Sequence, residues 1–162
     1  MRTCVILSLA AVGAVASASA ADADPQRPAW AEQQWQAVAK REGLVVSDRV
    51  VPATQRGDFD GDGRADLALH VMRVKDRTEG IVILSSARPP VVIGAGRTVG
   101  HGGDDFSWMD SWHVEKLGRL PRDVQRRRAV RGGDALVVEK DSAASASIHL
   151  VDGMPKWRQR GD

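Results

Sequence analysis

The chain contains a single cysteine, Cys4, no tyrosine and only two phenylalanines among its 162 residues. One cysteine has no partner for an intrachain disulfide, so a hydrophobic core and any bound ion must supply what cross-links give many small exported proteins. Long apolar runs are missing as well. The stretch from Cys4 to Ala16 is shorter than the roughly 20 residues a membrane-spanning helix needs. Nor does one sign of charge dominate. With 23 Lys and Arg against 21 Asp and Glu, the formal net charge is only +2. The two signs are interspersed, which argues against the concentrated basic surface that holds nucleic acid. The one dense basic cluster, Arg122 with Arg126, Arg127, Arg128 and Arg131, borders Gly132-Gly133 and reads as a solvated loop. A patch for an acidic partner surface is the alternative. No serine sits in a Gly-x-Ser-x-Gly elbow, and no two histidines have His-x-His or His-x-x-x-His spacing. No catalytic residue is therefore assigned, and the expected protein is not an enzyme.

What is present begins at the N-terminus. Met1-Arg2-Thr3 is a short basic start, Cys4 to Ala16 an apolar stretch, and Ala18-Ser19-Ala20 a small-residue cleavage site. That layout predicts a secretory signal peptide over 1–20, a polar, disordered leader over 21–27 and a single domain over 28–162. Cys4 lies too early to carry a lipid at the end of the signal. The expectation is a periplasmic or secreted protein without a membrane anchor.

Residues 57–67 hold the densest chemistry: Gly57-Asp58-Phe59-Asp60-Gly61-Asp62-Gly63-Arg64-Ala65-Asp66-Leu67. Four carboxylates in nine residues repel one another unless a cation sits among them. Oxygen donors suit a hard divalent ion, and Ca²⁺ takes six to eight of them. Gly63 tolerates positive φ, so the chain can wrap around the ion. The spacing matches the first half of an EF-hand loop, which casts Asp58, Asp60 and Asp62 as side-chain ligands and Arg64 as a carbonyl donor. The second half differs. Leu69 stands where an EF-hand has its bidentate Glu, and Leu67, Leu69 and Val71 alternate as in a half-buried strand. Asp66 then completes the predicted set of Asp58, Asp60, Asp62, Arg64 and Asp66, with Ca²⁺ as the cofactor.

These residues closely resemble the calcium loop of FG-GAP/VCBS repeats, the units of integrin-α-like β-propellers. The resemblance implies a strand leading into the loop, carboxylates on Ca²⁺, and a second strand starting at Asp66. The loop occurs once, which points to a single-repeat secreted bacterial form.

Elsewhere the pattern is mostly β. Pro28 suits a first helical turn, and Ala31, Trp35, Val38 and Ala39 share one face of a helix predicted over 28–42, stopped by Gly43. Strands are expected at 49–55 and 66–73, around Ile81-Val82-Ile83-Leu84, and at Val91-Val92-Ile93 after Pro89-Pro90. Three more are expected at 135–139, 146–151 and 154–159, with Asp152-Gly153 as a two-residue turn. The fold class is thus mainly β: an antiparallel sheet with one N-terminal helix and the DxDxDG loop between two strands, a single propeller-blade-like unit.

Residues 100–113 interrupt this pattern. Trp108, Asp110, Trp112 and His113 follow a Gly-rich start and are the candidate surface for a protein partner, since aromatic residues dominate interface hot spots. The competing reading makes Trp108 and Trp112 a core pair on a short helix. A metal site from His101, Asp104 and His113, or a triad from Ser107 or Ser111 with Asp110 and His113, can be drawn but lacks supporting spacing. The expected function is a Ca²⁺-binding protein-interaction module of the periplasm or cell wall. Its features are similar to those of immunity proteins, some of which inhibit cell-wall-degrading enzymes. An adhesion or structural module is the alternative, with a hydrolase behind it.

Overall fold

The structure is a computed structural model that describes residues 27–116 and 133–161. The predicted signal peptide, nearly all of the leader and the Arg122–Arg131 cluster lie outside the described residues. Among the described residues, no helix is long and apolar enough to cross a membrane.

The fold is mainly β, with α1 (Ala29–Glu42) packed on one of two antiparallel sheets. The carbonyl of Pro28 accepts the N–H groups of Ala31 and Glu32 at the start of α1. Gly43, at φ 67°, ends it in the left-handed conformation, with its N–H on the Ala39 carbonyl. Ala31, Trp35 and Val38 are buried on the inward stripe, as the spacing predicts.

The first sheet has four positions. Two short strands, β1 (Leu44–Val46) and β2 (Thr54–Gly57), share one edge of β3 (Asp66–Arg73), β1 on its C-terminal half and β2 on its N-terminal half. β4 (Glu79–Leu84) and β5 (Val91–Gly94) follow as a meander. Side chains alternate across the pleat, and here both faces are covered. Leu67, Leu69, Val71, Val82 and Leu84 pack with α1. Ala68, Ile81, Ile83 and Ile93 join the cluster shared with the second sheet. This double burial explains why β4 is a continuous apolar run.

The second sheet is the meander β6 (Ser111–Glu115), β7 (Ala135–Lys140), β8 (Ala144–Val151) and β9 (Met154–Gly161). Trp112, Leu136, Val138, Ala146, Ile148 and Leu150 form its inner face. β8 and β9 are joined at Asp152-Gly153, at φ 53° and 78°. That is the paired positive φ expected of an Asp-Gly hairpin turn. Lys156, Arg158 and Arg160 alternate along β9, the last described strand of this sheet, and such charges protect an edge from pairing with other strands.

Two expectations need correction. One blade-like sheet was predicted, whereas there are two, because β6 recruits residues that read as an irregular loop. The strand expected over 49–55 begins only at Thr54. Pro52 has no N–H to give a ladder, Val50 turns into the core at 2% exposure, and Arg49 is held elsewhere. The Arg49 guanidinium donates to Glu79 Oε2 at 2.7 Å and to the carbonyls of Met109 and Phe106 at 2.9 and 3.2 Å.

Candidate metal centre

The acidic loop joins β2 to β3, where the two strands pair Gly57 with Asp66. This closes the loop at its base and brings Asp66 back beneath Asp58 and Asp60. Carboxylate oxygens of Asp58, Asp60 and Asp66 lie within 4.8 Å of one another, the one such group that could hold a metal among the described residues.

Each carboxylate spends hydrogen bonds on shaping the loop. Asp66 Oδ2 accepts the N–H groups of Phe59 and Asp60 at 2.8 and 3.2 Å. Asp58 Oδ2 accepts the Gly63 N–H at 3.0 Å. Asp60 Oδ1 accepts the Asp62 N–H at 3.1 Å, and its Oδ2 accepts the Ser85 hydroxyl at 2.7 Å. The remaining oxygens, Asp58 Oδ1 and Asp66 Oδ1, are buried with no hydrogen-bond donor. Leaving a buried acceptor unmatched costs about 1–3 kcal/mol, more if it is charged. A hard cation would satisfy both oxygens together, so the donor set fits one. Asp66 is fully buried, and its carboxyl is pushed up to about 6, first by burial and then by the neighbouring Asp60 charge. The N–H groups of Phe59 and Asp60 offset this only in part.

Asp62 and Arg64 behave differently from the other predicted ligands. Both are exposed, and Asp62 Oδ1 accepts the Arg64 N–H at 2.7 Å. Asp62 is not gathered with the other three. Asp60→Ala is therefore expected to abolish a metal-dependent rise in melting temperature, whereas Asp62→Ala should weaken it and Arg64→Ala leave most of it. Thermal melts with and without the ion check this ranking, and Asp62→Ala proving as damaging as Asp60→Ala would overturn the three-carboxylate geometry.

Two supports of the site were not assigned from the sequence. Ser85 reaches Asp60 from the end of β4, and nothing local announces that distance. Asp134, just before β7, receives the Asp58 N–H on its carboxylate at 2.9 Å and donates its own N–H to the Asp58 carbonyl at 2.6 Å. Lys116 Nζ approaches the same carboxylate at 2.8 Å. Gly133 packs so closely that a Cβ there would stand 1.9 Å from the Asp58 carbonyl oxygen. The loop is thereby clasped by residues that lead into the second sheet. The Gly-Gly-Asp sequence there could have been read as a tight backbone approach.

The residues expected to meet a partner do not form one surface. Trp112 is a core residue at 3% exposure, with Nε1 donating to the Pro52 carbonyl at 2.7 Å. It sits on a strand rather than on the short helix of the competing reading, and alternation sends its neighbour His113 to the opposite, outer face of the sheet. Asp110 is tied to the β7–β8 turn, accepting from Lys140 Nζ at 3.0 Å and from the Asp141 N–H at 3.0 Å. Trp108 is half-buried and stacks against Phe106 and Trp157. Nor is the sketched triad assembled. Ser111 Oγ and His113 Nδ1 both approach Glu139 Oε2, at 3.1 and 3.7 Å, which puts the carboxylate between hydroxyl and imidazole. A triad needs the imidazole in the middle. A Ser147–His149 hydrogen bond of 2.9 Å also exists, but its serine is 1% exposed.

No family model, no curated protein and no solved structure matches the chain.

Proposed function

We propose that the chain is a secreted or periplasmic Ca²⁺-binding module that acts by recognising a protein partner rather than by catalysis. The buried, unmatched oxygens of Asp58 and Asp66 carry the metal part of this reading. Calcium is favoured over magnesium because the donors sit on an irregular glycine-containing turn. Ca²⁺ accepts irregular sets of six to eight oxygens, while Mg²⁺ demands near-octahedral geometry and gives up water reluctantly. Asp62 and Arg64, exposed on the same turn, are the further donors that the spacing assigns to such a set. The secretory reading rests on the pattern of residues 1–20.

The recognition part follows from a loop clasped to both sheets, so that the ion stiffens the scaffold from which surface residues project. Inhibition of a cell-wall-degrading enzyme, as by an immunity protein, is the form of recognition that suits an exported module without catalytic motifs. A second reading, an adhesion or structural module, is favoured by the two four-position meanders, each connected like one propeller blade. Affinity capture from a periplasmic extract, run in Ca²⁺ and in EDTA, tests the proposal. A cell-wall hydrolase retained only in Ca²⁺ is expected. Retention of nothing but further copies of the chain would favour the structural reading and sink this one.

A further inference from the structure

We propose that a cleft beside Trp108 and Trp157, remote in sequence from the acidic loop, binds a neutral saccharide unit. The cleft has a volume of about 390 Å³, near the lower end of the roughly 300–1,000 Å³ usual for ligand sites. That suits one or two sugar rings. Its walls are the two indoles, whose centroids stand 6.2 Å apart at 77°. Ala144 and Ala146 add apolar lining.

The indoles are fixed before any ligand arrives. Phe106 packs against both rings, with centroids at 5.7 and 6.1 Å. Gly100 and Gly102 press on Trp157 so closely that a Cβ on either would lie 2.5 Å from its side chain. Trp108 Nε1 donates to the Gly102 carbonyl at 3.4 Å, and Trp157 Nε1 to Gln159 Oε1 at 3.3 Å. Two preset aromatic faces lower the ordering cost of binding.

The polar rim selects the ligand class. Lys140 borders the cleft, but its ammonium is paired with Asp110 at 3.0 Å. Beyond it, across Ala144 and Ser145, the cleft opens into a polar depression that includes Arg160, itself paired with Glu115 at 3.0 Å. Among the described residues, a phosphate or carboxylate would find no unpaired Lys or Arg lining it. What remains on the rim is hydrogen-bonding chemistry: the Gln159 amide, the Ser145 hydroxyl and the His101 imidazole. A wholly apolar ligand would strip water from these groups and offer nothing in return. A pyranose has what the site lacks, C–H faces for the indoles and hydroxyls for the rim.

The test is calorimetric titration of the full chain in Ca²⁺ with a panel of neutral mono- and disaccharides, cellobiose and diacetylchitobiose among them, and glucose 6-phosphate as a charged control. Saturable, salt-insensitive binding of a neutral sugar is expected. Trp157→Ala should weaken it about tenfold or more, as expected of a hot-spot aromatic. Because Trp157 also supports the core, two surface changes accompany it: Gln159→Ala should weaken binding several-fold, and Ala144→Trp should fill the cleft and abolish it. No saturable binding by any neutral sugar overturns the proposal, as does binding that Ala144→Trp leaves unchanged. Loss of protein capture in Ala144→Trp, without sugar binding by the parent, would give the cleft to a protein side chain and equally overturn it. Melting with and without Ca²⁺ on the same samples keeps the two readings separate. An intact calcium shift without sugar binding removes the saccharide site alone, and sugar binding without a calcium shift removes the metal reading alone.

Discussion

Truncating Trp112 to alanine is expected to cost roughly 3–5 kcal/mol of folding stability, a large share of the 5–15 kcal/mol typical of a domain. The indole fills the space between the two sheets, among Phe106, Met109, Leu136 and Val138. Its Nε1–H also satisfies the Pro52 carbonyl at 2.7 Å, and that acceptor would be left without its donor. Trp112→Phe should cost less, because it keeps most of the apolar contact and loses mainly the hydrogen bond, worth about 1 kcal/mol. Trp108→Ala removes a half-buried ring and should fall well below Trp112→Ala. Urea titrations of the three variants give the ranking. If Trp112→Ala left the midpoint unchanged while partner binding collapsed, the tryptophan would belong to a surface after all.

The contrast between the two tryptophans shows how far the sequence could be read. The strand over 66–73 was legible to the residue because Leu67, Leu69 and Val71 alternate behind a loop with its own signature. The helix and the Asp152-Gly153 hairpin were legible for the same reason, since their signals are local. β6 was not. Its inward side chains are only Trp112 and Val114, two positions set behind a glycine-rich stretch, too few to establish a period. Which strands share a sheet depends on long-range pairing such as Trp112 with Val138, and no local pattern encodes it. The acidic loop divides in the same way. Spacing identified four aspartates, but only the closure of β2 against β3 decides that Asp58, Asp60 and Asp66 converge while Asp62 stays exposed. Ser85 and Asp134 arrive from 25 and 76 residues away along the chain, and only the folded arrangement assigns them to the loop.

Calcium is expected to raise the melting temperature clearly relative to EDTA, with a smaller response to magnesium. An ion that binds only the folded state adds about 2.7 kcal/mol when its free concentration is 100 times Kd. The shift should depend on pH in a defined direction. Without metal, the Asp66 carboxyl ionises at about 6 rather than at its ordinary 3.8, so the folded protein holds that proton more tightly than the unfolded chain does. Metal-free stability should therefore fall as pH rises from about 4 to about 6. Each unit of pKa displacement is worth about 1.4 kcal/mol, which puts the loss on the order of 3 kcal/mol. Calcium replaces the proton, so the difference between calcium and EDTA melts should grow over that window and vanish in acid. His70 acts in the opposite sense. It is fully buried, and burial lowers its pKa below the usual 6.5 against the pull of Glu79. The unfolded chain takes up that proton first, so acid destabilises the fold with or without metal, and the effect cancels in the difference. Asp66→Asn isolates the cause. Its amide oxygen can still accept the Phe59 and Asp60 N–H groups, while the charge disappears. The variant should melt higher than the parent in EDTA above pH 6 and show no calcium shift. Identical melts of the parent in calcium and EDTA at neutral pH would remove the metal from the loop, and an Asp66→Asn variant that kept the shift would remove Asp66 from the ligand set.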